Sequence, residues 1–347
     1  MLLRKRLRLI AQLLVHPRQA LNVWKLRRGW RRFPESPDFL PAAIDVEPNV
    51  RCNLKCEMCQ VTTWSRQQPD LEPDALEAIL DQFPTVVKVK LQGMGEPTMN
   101  RDYPELVKRA RARGLYVQTT TNGTLLGKDR GRQLLDSGID QINVSIDGAT
   151  AATHEAIRAG SSFERTLENV RAMVQRRGSA RAPIIEAWCV GQKANAHELP
   201  DLVRLVKELG LDRLSVQHDL TDWGKEEFRD RVEERNLESD LDHWIERARK
   251  VAAEVGLSFD LHSGNRFDLD KGERCPWPWT STYVTAEGKI SPCCFLADPD
   301  TMSLGDLGER SFEEIWRDEP YRAFRRAHAS GEPPPACRQC YRGGTDH

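Results

Sequence analysis

Between residues 43 and 217, short runs rich in Val, Ile and Thr alternate with longer amphipathic runs, and that alternation leaves few folds open. Residues 43–48, 86–92, 115–120, 141–146, 183–190 and 212–217 read as strands. Residues 73–82, 102–113, 126–136, about 150–175 and 196–209 read as helices. Successive strands joined by helical crossovers are βαβ units, so the class is α/β with a parallel sheet. At 347 residues the chain has room for one large α/β barrel or two smaller domains. In a parallel barrel the chemistry sits on the loops at the C-terminal strand ends, so those loops are where functional residues are expected.

The first such loop carries Cys52-Asn53-Leu54-Lys55-Cys56-Glu57-Met58-Cys59, three cysteines at C-x3-C-x2-C directly after the first strand. Thiolates are soft ligands for iron–sulfur clusters, and a [4Fe–4S] cube normally takes four of them. Three closely spaced thiolates hold three corners and leave one iron open to a small molecule. Zinc is the alternative, although it usually draws on paired C-x2-C or Cys/His spacings. Nine cysteines occur in all: this trio, a C-terminal group of Cys275, Cys293, Cys294, Cys337 and Cys340, and Cys189 alone between them. The odd count and short spacings favour metal or cluster ligation over disulfides, and hence a reducing compartment.

The later strand ends carry further motifs. Strand 2 runs into Gln92-Gly93-Met94-Gly95-Glu96-Pro97 and strand 3 into Thr119-Thr120-Thr121-Asn122-Gly123, which has Asn-Gly turn chemistry. Strand 4 ends in Val144-Ser145-Ile146-Asp147-Gly148. Glycine lets a backbone approach a ligand closely, and a carboxylate such as Glu96 suits an ammonium partner. Together with the cysteine loop, these motifs resemble the radical S-adenosylmethionine (SAM) superfamily, with Met94 standing where glycine is common. The resemblance implies a partial (β/α)6 TIM-type barrel. It also implies a SAM-binding [4Fe–4S] cluster on Cys52, Cys56 and Cys59, and SAM contacts from Met58, Gly95, Glu96, Asn122, Ser145 and Asp147. Glu155, Arg158 and Gly160 resemble the segment closing this side of the pocket, without assigned contacts. A reduced cluster would then cleave SAM to a 5′-deoxyadenosyl radical that removes a substrate hydrogen atom. Flavodoxin or ferredoxin is the expected kind of reductant.

In strand 5, Glu186 and Trp188 share one face and Cys189 takes the other. Cys189 is the one weak catalytic candidate: a thiol in a radical barrel can return a hydrogen atom to a substrate, which would make the enzyme an epimerase. Burial as a small hydrophobe is the plainer reading. At the end of strand 6, His218 and Asp219 offer proton acceptors or mere loop solvation.

Residues 225–270 are highly charged and read as a solvated helical bridge to a cysteine-rich unit over 271–347. There, Val284 and Ile290 flank Ala286-Glu287-Gly288 as a β-hairpin, and helices follow at 311–317 and about 319–328. Cys275, Cys293, Cys337 and Cys340 make a four-thiolate set, for which a zinc ribbon is the alternative to a cluster. The unit resembles the SPASM/twitch auxiliary-cluster domains, implying one auxiliary [4Fe–4S] cluster in single-cluster form, with Cys294 spare. An acceptor of this kind beside the substrate implies a two-electron oxidation. The spacing is similar to the twitch domain of aminocyclitol dehydrogenases, which points to a sugar-like or other small natural-product substrate. A peptide or protein side chain, as in SPASM maturases, is the alternative. A zinc-bearing scaffold without activity is disfavoured by the intact trio and Gly95-Glu96-Pro97.

Residues 1–32 carry ten Lys/Arg and no Asp/Glu, whereas the remainder has 41 basic against 52 acidic residues, a balance of −11. The body therefore gives no sign of nucleic-acid binding. The head, with Leu3, Leu7, Ile10 and Leu14 at helical spacing and tryptophans at 24 and 30, suits a helix packed on the barrel, an anionic membrane surface or a partner protein. Residues 1–42 form this extension and a proline-rich linker, and 43–224 the barrel. No secretory signal or run of 18 apolar residues is found, so the expected location is cytoplasmic, peripheral to the inner membrane face if the head binds it.

Overall fold

A computed structural model describes residues 15–64, 66–180, 182–218, 220–235, 240–262 and 267–342. Most of the expected head helix and Asp219 lie outside them. The described chain opens on α1 (Pro17–Gly29), and then the alternation begins. Its order is β1 (Ala43–Val46), α2 (Pro73–Asp81), β2 (Lys88–Leu91), α3 (Tyr103–Ala112), β3 (Tyr116–Thr121), α4 (Lys128–Asp136) and β4 (Gln141–Ser145). There follow α5 (Ala151–Ile157), α6 (Phe163–Arg177), β5 (Ile184–Val190), α7 (Leu199–Glu208) and β6 (Arg213–Gln217).

Among the described residues ten strands form one sheet in the order β11 (Gly305–Asp306), β10 (Lys289–Ser291), β9 (Ser281–Val284), β1, β2, β3, β4, β5, β6 and β7 (Ser258–His262). Every neighbouring pair from β9 to β7 is parallel, an open, partial barrel. Strand alternation sorts its two faces. Ile44, Val89, Leu91, Val117, Ile142, Val144, Ile185, Leu214 and Val216 are buried against the helices. The lumen face is polar: Asp45, Lys90, Gln118, Gln141, Asn143, Ser145, Glu186 and Gln217 stand there. Helices answer with single apolar stripes, such as Leu199, Leu202, Val203 and Val206 on α7.

Two expectations need correction. The single helix over 150–175 is two helices, because Gly160 adopts φ +93° and Ser162 then caps α6 by accepting from the Arg165 N–H. The break turns Arg158 inward. The bridge over 225–270 is not wholly helical: after α8 (Arg229–Arg235) and α9 (Asp240–Val255), β7 (Ser258–His262) adds a seventh strand in register with β6. Alpha-9 is also not simply solvated, since Ile245, Ala248, Val251 and Ala252 are buried.

The cysteine-rich unit continues the same sheet. After β8 (Phe267–Asp268) and α10 (Trp277–Thr280), the expected hairpin forms from β9 (Ser281–Val284) and β10 (Lys289–Ser291), with Ile290 opposite Val284. Beta-9 lies parallel to β1, Ala43 against Ser281 through Val46 against Val284. Then come β11 (Gly305–Asp306), α11 (Phe312–Arg317), α12 (Glu319–Ser330) and β12 (Tyr341–Arg342), the last paired with β8. Trp279 donates to Pro34 O at 2.8 Å and Trp316 to Phe39 O at 2.9 Å, which ties this unit to the proline linker. Arg325, fully buried, stacks on Trp316 at 4.0 Å and donates to the carbonyls of Pro278 (3.0 Å) and Trp316 (2.9 Å).

Arg325→Ala would strand those carbonyls and leave a void, so chemical denaturation should show a loss of about 3 kcal/mol. A pH effect follows from His154 and His328, whose burial pushes each pKa down to about 4. The unfolded state binds these protons more readily, so stability present above pH ~6.5 is lost as pH falls towards 4, by roughly 2 kcal/mol per histidine. Denaturation midpoints measured from pH 7 to 4 should fall, and His154→Gln/His328→Gln should flatten the fall.

Candidate active site and auxiliary cysteine site

The loop after β1 turns its three cysteines towards the barrel mouth. The Asn49 side chain fixes the entry, with Oδ1 accepting from Arg51 N at 3.0 Å and Nδ2 donating to Glu96 O at 2.9 Å. Further on, Cys59 N donates to Cys56 O at 3.0 Å, and Leu54 N points at Cys52 Sγ at 3.4 Å. All three thiols line a cavity of about 1090 Å³, its open mouth included, together with Met58, Gly95, Glu96, Asn122 and Ser145. Eight of the sequence-derived site residues beyond the auxiliary set are thus on one wall system, and Asp147 and Cys189 are not.

Several of these residues are also engaged by the chain itself. A Cβ on Gly95 would lie 2.5 Å from Asn49 Oδ1 and 2.6 Å from Arg51 O, so glycine is needed there to seat the cysteine loop. Glu96 is 3% exposed, and its carboxylate is held by the chain itself. Oε1 accepts from Thr98 N (3.1 Å), Thr98 Oγ1 (2.5 Å) and Thr121 Oγ1 (2.6 Å), and Oε2 from Asn122 N (2.7 Å). It staples the ends of β2 and β3 beneath the cluster loop. Asn122 continues that staple by donating to Asn53 Oδ1 at 2.9 Å.

Asp147 is fully buried behind the wall, accepting from Val190 N at 2.7 Å and pairing with Arg158 Nε at 2.6 Å. Its work is therefore indirect: it holds Arg158, whose guanidinium lines the cavity near Cys56. Sequence reading noted Arg158 but gave it no contact, and the helix break at Gly160 was the available signal. Cys189 is fully buried on the helix side of β5, 3.5 Å from Asn195 Nδ2, while its neighbours Trp188 and Val190 face the cavity. As a hydrogen donor to a substrate in this cavity it is badly placed.

The cavity floor is built by Lys90, Gln92, Thr120 and Gln217, and its far wall by Trp188, Trp223, Cys294 and Phe295. Lys90 has no carboxylate within 4.0 Å among the described residues, although buried Asp45 faces it across β1 and β2. Trp223 sits at φ 58°, a strained setting for an aromatic residue, and donates Nε1–H to Met58 O at 3.0 Å. It thereby ties the loop after β6 to the cluster loop.

Cys275, Cys293, Cys337 and Cys340 surround a second, small apolar cavity with Trp277, Phe324, His328 and Tyr341. Cys294 is not among them. It faces the first cavity, with Asp45 and Lys90 as its charged neighbours. Phe295 lines both cavities, so the partition between them is the segment Cys293-Cys294-Phe295. Gln339, between the last two cysteines, accepts from Thr221 Oγ1 (2.6 Å) and Asp222 N (2.7 Å), which joins the knuckle to the barrel.

The donor chemistry fits iron–sulfur clusters at both places. All nine thiols are free. Burial pushes Cys52 up to about 11 and Cys59, Cys294 and Cys337 up to about 12, so without a cation these groups stay protonated. Three thiols at one cavity and four at the other match the soft thiolate sets that hold iron–sulfur clusters.

A parallel partial barrel with a thiol trio at its mouth and a second thiol set behind its wall is the frame of a SAM-dependent iron–sulfur enzyme. Residues 46–185 match the radical SAM superfamily, and residues 275–341 match the SPASM iron–sulfur cluster-binding domain. The chain belongs to the radical SAM superfamily and carries a C-terminal SPASM domain, with SAM, a [4Fe–4S] cluster and an auxiliary cluster as its cofactors. It is 28% identical over 302 residues to the tungsten-containing aldehyde ferredoxin oxidoreductase cofactor-modifying protein of Pyrococcus furiosus, covering 81% of this chain and 82% of that one. It is 26% identical over 313 residues to the PqqA peptide cyclase of Gluconobacter oxydans, covering 88% and 84%. Its fold matches Streptococcus suis SuiB bound to the precursor peptide SuiA, with TM-score 0.68 at 17% identity over 92% of this chain and 70% of that one.

Glu96→Gln would turn an amide N–H against the Asn122 N–H. The expected result is a loss of about 2 kcal/mol in the urea unfolding of the metal-free chain.

Proposed function

We propose that this enzyme carries out a two-electron radical oxidation of a polar substrate held over Lys90, with Cys52, Cys56 and Cys59 as ligands of the SAM-binding cluster. Cys275, Cys293, Cys337 and Cys340 are the proposed auxiliary ligands. Bound at the mouth, SAM and its cluster supply the radical that removes a substrate hydrogen atom. The chain's own residues bind and orient. Arg158, fixed by Asp147, presents a cation suited to a carboxylate such as that of SAM. Lys90, Gln92 and Gln217 offer donors to an oxygen-rich substrate, and Lys90 suits a carboxylate or phosphate on it. Trp188 and Trp223 close the sides against water.

One observation carries the oxidation. The partition Cys293-Cys294-Phe295 leaves the auxiliary thiols one side chain from the substrate cavity, which is the placement an electron acceptor needs. The polar, donor-bearing floor supports the sugar-like substrate expected from the sequence. A peptide side chain is the second reading, favoured by similarity to PqqA peptide cyclases. Hydrogen return has a better candidate than Cys189 in Cys294, whose thiol faces the cavity.

Anaerobically reconstituted enzyme with dithionite, SAM and panels of cyclitols, nucleotide sugars and peptides tests this in deuterium oxide. Oxidation gives a product two hydrogens lighter with no deuterium at carbon, whereas deuterium gained without mass loss marks epimerisation and would overturn the oxidation. Replacing Cys52, Cys56 and Cys59 by Ala should abolish deoxyadenosine formation and leave about four irons per chain. Lys90→Met should raise the KM of an anionic substrate roughly tenfold while unstimulated SAM cleavage stays unchanged.

A further inference from the structure

Among the described residues only four large hydrophobic side chains are well exposed, and three sit together at the start of the chain: Val15 (70%), Leu21 (55%) and Trp24 (52%). Scattered exposed apolar residues are ordinary, but a cluster rimmed by charge marks a contact surface. Leu21 and Trp24 lie on α1, whose opposite face is already docked. Asn22 holds Leu40 by both backbone groups, accepting from its N–H at 2.8 Å and donating to its carbonyl at 2.9 Å. Gln19, Val23 and Leu26 complete the buried face, and Leu26 packs with Phe39 and Trp279. Helical periodicity puts Leu21 and Trp24 roughly opposite this face. The docking therefore fixes them outward, and α1 cannot roll to bury them.

The cations are placed to match. Arg28 stacks over Trp24 at 4.5 Å, in the middle of the outward face. Arg18 flanks one side and Arg27 the other, Arg31 follows in the turn after the helix, and none of them has a carboxylate within 4.0 Å among the described residues. Lys25 is the exception, engaged with Asp38 at 3.1 Å. The preceding stretch adds Arg4, Lys5, Arg6 and Arg8 with no acid before residue 33, against a balance of −11 in the rest of the chain. A body of that sign is repelled by an anionic surface, so attraction is confined to this face. A tryptophan and a leucine within a ring of arginines match the interface of an anionic bilayer, where the ring enters the headgroup region and the guanidinium groups pair with phosphates.

We infer that the outward face of α1 and the turn after it, through Leu21 and Trp24 with Arg18, Arg27, Arg28 and Arg31, seats the enzyme on an anionic lipid surface. Flotation of the full chain with phosphatidylcholine vesicles, with and without phosphatidylglycerol, tests it. The expected result is binding only to phosphatidylglycerol-containing vesicles, weakened by added salt. Leu21→Ser/Trp24→Ser should reduce that binding roughly tenfold with an unchanged thermal melt, because both side chains are exposed. Three results would overturn the inference: no binding, equal binding to neutral vesicles, or anionic binding that survives the double substitution. The last would assign the contact to residues 1–14 alone. The readout needs no substrate, so it stands or falls apart from the proposed reaction.

Discussion

The parallel pairing of β9 with β1 fixes where the two groups of thiols stand relative to each other. Beta-1 delivers the chain into the first cysteine loop, and β9 and β10 deliver it to Cys293 and Cys294. Register is held by a buried charge cluster just past the strand end. Glu47, fully buried, pairs with Arg66 at 2.9 Å and accepts from Tyr283 Oη at 3.0 Å and Ala286 N at 3.3 Å. Arg66 also reaches Glu287 at 2.9 Å. Burial alone pushes the Glu47 carboxyl up, and Arg66 opposes that rise. Ionic groups this deep contribute little net stability, but each must find its partner, which penalises any slip of the hairpin along β1.

Much of this was legible from the residues. The six strands, the hairpin and the two helices after it follow from periodicity, because their apolar positions face one core. The cysteine spacing marked both sites. What escaped was sidedness and pairing. Cys189 and Cys294 look alike in sequence, and only the sheet shows one turned to the helices and the other to the cavity. The partners that hold Glu96, namely Thr98 and Thr121, were not legible because a carboxylate in a glycine-rich loop shows no partners in sequence. Beta-7 hid because Ser258–His262 is short and only partly covered. The β1–β9 pairing joins residues more than 230 apart, and no local pattern announces it.

The lumen explains why parallel strands here carry lysine, asparagine and glutamine instead of continuous apolar runs. Gln141 Nε2 donates to Asn143 and Glu186 at 3.0 Å each, and Trp188 stacks on His262 at 4.9 Å. Polar side chains that hydrogen-bond one another keep the interior open, although the Gln92 Oε1 and Ser215 Oγ atoms find no partner among the described residues. Such an interior gives orientation by hydrogen bonds, while the outer, helix-covered face supplies the apolar packing.

Phe295 belongs to both chambers, and that shared ownership limits how the enzyme can diversify. Trimming the ring to admit a bulkier substrate would also thin the apolar cover over the neighbouring thiols and admit water to them, and solvent exposure is one of the quantities that sets a cluster's reduction potential. Selectivity and redox poise are thus mechanically linked through a single aromatic side chain. A lineage that changes what it accepts must retune its electronics in the same step.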